Sequence, residues 1–176
     1  MPDFYQKITD MQGGVEDLAR MVPGLKEVFE KQDRRAADRL LREYLVREFE
    51  EQLSEFTRVQ RRIVDQGGIM YMERVQAIDG KMRTFIDRIA SAAAGYSGVF
   101  DAVKVNAEAL ERVYAFDNAL LAYRDQFATG IQALEEAAGT EGIDDVLFQL
   151  EQVVSEANNT FKRRVEALQG SADAAV

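Results

Sequence analysis

The chain has 176 residues, 47 % hydrophobic and 30 % charged, with a net charge of −9 and neither cysteine nor histidine. That balance marks a folded globular protein, long enough to bury one core. The missing side chains exclude disulfides, thiolate nucleophiles, tetrahedral zinc sites, Glu-x-x-His di-iron sites and Ser-His-Asp triads.

The charge is unevenly spread: −2 over 1–32, 0 over 33–66, +1 over 67–94, −5 over 95–142 and −3 over 143–176. An acid excess argues against nucleic-acid binding, which draws most of its affinity from phosphate neutralisation. The opening MPDFYQKITD lacks the basic and continuously apolar parts of a signal peptide. No run approaches the roughly 20 apolar residues of a membrane span. A cytoplasmic protein is expected.

Residues 3–32 read as short helical pieces. Phe4, Tyr5, Ile8 and Met11 share one face, and Gly13-Gly14 interrupts it. VEDLARMV continues to Val22, where Pro23-Gly24 breaks the helix. LKEVFEKQ adds one or two turns carrying Leu25, Val28 and Phe29. Residues 1–32 are expected to form an arm packed on the main body.

Asp33 suits an N-cap, because its carboxylate can accept from the unpaired first-turn N–H groups. A long helix then runs to about Gln66, with Val46, Phe49, Leu53, Phe56, Gln60 and Ile63 at steps of three and four. Gly67-Gly68 predicts a tight reversal. The next helix spans about 69–94 on Val75, Ile78, Met82, Phe85 and Ile89, with Gly80 suggesting a close helix–helix approach. Asn106 is placed to cap a helix reaching about Ala138, striped by Val113, Phe116, Leu120, Tyr123, Phe127 and Leu134. The turn AAGTEG leads into a last helix over 143–169, with Leu147, Leu150, Val154, Ala157, Phe161 and Leu168 inward. Gly170 is its expected stop and 170–176 a flexible tail. The fold class is all-α: an antiparallel bundle of four long amphipathic helices over 33–169, with a short N-terminal arm.

The stretch GYSGVFDAVKVN, residues 95–106, invites a chemical reading that its residues do not support. Val99 stands where a G-x-S-x-G elbow needs its second glycine, and no Gly-Lys-Ser/Thr phosphate loop follows. It reads instead as the corner between two hairpins, with Tyr96 a candidate partner contact. Arg35, Arg39 and Arg42 recur along one side of the long helix and form a candidate strip for a protein partner or anionic lipid; neutralisation by Asp38, Glu43 and Glu48, or by the acid-rich later helices, is the expected reading. Asp117 and Arg124 share a face beside the apolar stripe, and Gln60 sits in a seam. These three are candidate polar core residues that set register. Glu51 and Glu55 could share a cation but lack converging ligands, so a solvated face is the expected reading.

No cofactor, metal or catalytic residue is expected. The best-supported function is a non-enzymatic scaffold or adaptor acting through helix faces, with a protein partner or a second copy. A peripheral membrane protein using the arm and the arginine strip is the alternative, and a bundle holding an apolar ligand is the third. The second resembles, in general architecture, bacterial membrane-stress proteins of the phage-shock type, which are long helical hairpins with an amphipathic N-terminal helix. No motif of that family is matched residue by residue.

Overall fold

The computed structural model describes residues 14–31, 33–92 and 107–173. Its helices are α1 (Gly14–Met21), α2 (Leu25–Glu30), α3 (Arg34–Asp65), α4 (Met72–Ser91), α5 (Ala107–Ala137) and α6 (Ile143–Asp173), with a 3-10 turn at Ile69–Tyr71 before α4. The fold is all-α. Tyr96, Asn106, the 95–106 corner and the amphipathic face of 4–11 lie outside the described residues.

Local chemistry explains the boundaries. The Asp33 carboxylate accepts from the Ala36 N–H at 3.0 Å, a cap worth about 1 kcal/mol. At the far end of α3 the Gly68 N–H donates to the Ile63 carbonyl at 2.9 Å, while Gly67 takes φ +83°. A Cβ on Gly68 would lie 2.6 Å from Ile63 Cγ2, so both glycines are needed for the reversal. Gly170, expected to end α6, does not: the helix runs on to Asp173. A lone glycine costs only about 1 kcal/mol in a long helix.

The four long helices form two antiparallel hairpins, α3–α4 and α5–α6. α3 also packs on α5, and α4 on α6. These cross-hairpin pairs run in the same direction, as their side-chain ladders show. Between α4 and α6, Arg74 binds Asp144 at 2.7 Å, Lys81 binds Glu151, and Arg88 donates to Asn158 at 3.0 Å. The rungs recur every seven residues on both helices, which only parallel neighbours allow. Between α3 and α5, Glu48 meets Arg124 and Arg58 meets Glu135 in the same sense. The bundle is therefore antiparallel within each hairpin and parallel between them.

The two hairpins repeat one apolar pattern. Leu45, Phe49, Phe56 and Ile63 of α3 recur in order as Phe116, Leu120, Phe127 and Leu134 of α5. Val75, Ile78, Met82 and Ile89 of α4 recur as Leu147, Leu150, Val154 and Phe161 of α6. All are buried, and two similar hairpins laid side by side share one core. Phe85 centres it, edge-on to Phe49 at 4.8 Å and to Phe161 at 6.3 Å. Leu18, Val22 and Leu25 join the same core, and Asn118 donates to the Gly14 carbonyl at 2.7 Å. The described part of the arm is thus continuous with the bundle.

Gly80, read as a close approach, has open space where a Cβ would stand. The close approach is at Gly130, where a Cβ would fall 2.5 Å from Leu150 Cδ2. That missing side chain lets α5 and α6 draw together.

Candidate functional site

The interior holds charge. Asp38, Arg42, Asp117 and Arg164 are buried, and Arg164 and Asp117 have no exposed side-chain surface. Arg164 Nε donates to Asp117 Oδ1 at 2.6 Å, and its Nη2 reaches Asp117 Oδ2 at 3.2 Å and Asp38 Oδ1 at 2.7 Å. Arg42 Nε donates to the other Asp38 oxygen at 2.8 Å. Among the described residues, three helices, α3, α5 and α6, thereby share one chain of two guanidiniums and two carboxylates. Burial pushes the Asp117 carboxyl above its usual value, against the pull of Arg164. Tyr114, one turn before Asp117, is pushed up to about 12, chiefly by burial.

This changes the placement of several residues singled out from the sequence. Asp117 is a polar core residue, but its partner is Arg164 of α6 and not Arg124. Arg124 lies at the edge of the α3–α5 seam, where it meets Glu48 and Asp125. Gln60 is half-buried and donates to Asp79 of α4 at 3.3 Å. Arg35 and Arg39 are exposed, whereas Arg42 turns inward to Asp38, so the three do not form one surface strip. Their i, i+4, i+7 spacing keeps them within about 60° of one face, but Arg42 stands at the core-side edge of that arc, where Asp38 holds it. Glu51 is exposed, and Glu55 pairs with Arg58 at 3.0 Å. Among the described residues no His/Cys/Asp/Glu group is arranged to hold a metal ion, and no helix is long and apolar enough to cross a membrane.

The Asp38–Arg42 pair matches the internal neutralisation expected for the arginines of α3, whereas Arg164 escaped the sequence reading. The signal was a charge within an otherwise apolar series: Arg164 continues Val154, Ala157 and Phe161 toward Leu168. Spacing could mark it as inward-facing, but could not supply its partner from a distant helix.

A second charge cluster lies nearer solvent. Arg58 donates through both terminal nitrogens to the Glu135 carboxylate, each at 2.8 Å, and Arg62 adds a third bond at 2.8 Å. These bonds, led by that of Arg58, hold the Glu135 carboxyl down at about 2, below its usual 4.5. Because the folded value is depressed, its contribution to stability is complete above about pH 4.5. It fades as the pH falls toward about 2. A side-chain carboxyl NMR titration is expected to give that low midpoint. Arg58→Gln together with Arg62→Gln is expected to return it to the ordinary glutamate range.

The surface carries an apolar groove of about 540 Å³ between α5 and α6. Gly130 and Ala133 of α5 face Leu150 and Val153 of α6 across it. Phe148 lines it and is 56 % exposed. Gly130 and the Leu150 side chain packed against it form part of its lining. Polar groups at the rim include Asp125, Gln126, Thr129, Gln149, Gln152 and Glu156.

Fold and site together define an all-α bundle built on two codirectional hairpins, pinned inside by a buried ion-pair chain and grooved on its α5–α6 face. Comparison with protein-family models, curated proteins and solved structures finds no match.

Proposed function

We propose that the protein is a non-enzymatic helical adaptor that binds a protein partner on the outer face of the α5–α6 hairpin. The observation that carries this reading is the open groove with an exposed phenylalanine on an otherwise polar helix pair. Exposing a large aromatic side chain beside other apolar groups is unfavourable unless something covers it. The interior supports the same reading. Its charged groups are engaged with one another across three helices, an arrangement suited to holding a rigid shape.

Self-association is a second form of this reading, favoured by Ile69 and Met70, which are 70 % and 78 % exposed at the α3–α4 turn. Site-specific photo-crosslinking in the cells that make the protein separates the two. A photoreactive phenylalanine analogue at position 148 is expected to trap a discrete heterologous protein, and one at Asp87 on the opposite hairpin is not. A self-crosslink at position 70 marks a homo-oligomer. No product from either position 148 or position 70 removes the adaptor reading.

A further inference from the structure

The charge around the groove says what kind of segment fits it. From Asp125 to Phe161 the chain contains no lysine or arginine, but it contains Asp125, Glu135, Glu136, Glu141, Asp144, Asp145, Glu151 and Glu156. Three of these acids are turned toward bases of the first hairpin: Glu135 toward Arg58 and Arg62, Asp144 toward Arg74, and Glu151 toward Lys81. The others are exposed: Asp125 at the groove rim beside Arg124, Glu156 also at the rim, and Glu136, Glu141 and Asp145 elsewhere on the same hairpin. The groove therefore has an apolar floor, and its charged lining residues are all acidic.

Resting on the adaptor reading, we propose that this groove docks a cationic amphipathic helix of a protein partner. Its lining on α5 runs from Asp125 to Ala133, about 12 Å at 1.5 Å per residue. That length accepts two helical turns, so the partner presents apolar side chains at i, i+4 and i+7 and carries Lys or Arg on the flanks. Phe148 supplies the aromatic anchor, and the acids steer the basic flanks and reject acidic competitors. A second copy of this chain meets like charge there, and an anionic membrane is repelled for the same reason.

The test uses the full chain and a fluorescent Leu/Lys amphipathic peptide of about 18 residues, with a Leu/Glu peptide of the same pattern as counterpart. Binding is followed by anisotropy. The Leu/Lys peptide is expected to bind and the Leu/Glu peptide not to. Phe148→Asp and Glu156→Lys are each expected to weaken binding by about tenfold or more, as loss of an anchor does. Asp87→Lys makes the same change in net charge on the other hairpin and is expected to leave binding within about twofold, since distant exposed charges are largely screened. Thermal unfolding of each variant reports its folding, which Phe148→Asp is expected to retain because the side chain is already mostly in water. Equal binding to all variants overturns the proposal, as does equal binding of the two peptides. Occupation of the face by anionic vesicles, or by a second copy crosslinked through position 148, also overturns it. A heterologous crosslink at position 148 combined with failure of the Leu/Lys peptide leaves the adaptor reading standing and removes the basic helix.

Discussion

Replacing Arg164 with methionine is expected to destabilise the protein by about 3–5 kcal/mol, the cost of leaving buried charges uncompensated. Arg164 bridges Asp117 and Asp38 from a position with no exposed side-chain surface. Methionine fills similar space but offers neither carboxylate a donor. Asp38 keeps Arg42, whereas Asp117 loses its ion pair with Arg164. The sign of the pH dependence follows. Asp117 already titrates above its usual value because of burial, and loss of the guanidinium raises it further. A raised folded value means that the native state holds its proton more tightly than the unfolded chain does. The group then favours folding in acid and loses that contribution as the pH rises through the folded value. Urea unfolding at about pH 8 and about pH 4, on either side of much of the carboxylate range, is therefore expected to show a larger deficit at the higher pH. A deficit independent of pH means that methionine acts through packing alone. Arg164→Lys keeps the charge but not the two-pronged geometry, and is expected to recover only part of the loss.

Phe127→Ala is the second large effect, expected at about 3–5 kcal/mol from lost transfer energy and the cavity left behind. Phe127 is fully buried on α5, with its ring 5.8 Å from that of Phe56 on α3. The truncation opens a hole where the two hairpins meet, and both flanking helices are long and held along their length, which limits collapse. The urea midpoint is expected to fall while the slope stays the same, since the surface exposed on unfolding hardly changes. Phe148→Ala provides the contrast. The same chemical deletion at a side chain that is 56 % exposed is expected to change stability by about 0.5 kcal/mol or less. A loss below about 0.5 kcal/mol at Phe127 contradicts its place in the core.

The helices were legible because their physics is local. The three-and-four spacing of Phe49, Phe56 and Ile63, and of Met82, Phe85 and Ile89, marks inward faces that burial matches. Asp33 and Gly67-Gly68 act within a few residues of themselves, as a cap and as a reversal. Gly80 and Gly130 mark the limit. Both are glycines inside long amphipathic helices, and only the position of a neighbouring helix separates the open one from the tight one. The arginines at 35, 39 and 42 show the same limit. Spacing groups them on one side, but a helix flank grades from water to core within one turn, and Asp38 draws Arg42 inward. The surface groove was hidden for a related reason. Phe148 reads as an ordinary apolar residue beside Leu147, and its exposure depends on where α5 ends its coverage of α6.

By itself the sequence determined the all-α class, the approximate spans of the four long helices, the reversals at Gly67-Gly68 and at 138–142, and the absence of every chemistry that needs histidine or cysteine. Those follow from backbone propensity, apolar periodicity and composition, each readable within a short window. It also held the repeated apolar pattern of the two hairpins, although that pattern becomes meaningful only once both are seen to run the same way. Tertiary structure decided which helices are neighbours, that Asp117 belongs to Arg164, and that an acidic-rimmed groove opens at Gly130. Each of these depends on contacts between residues far apart in the chain, whose partners are chosen by how whole helices fit together.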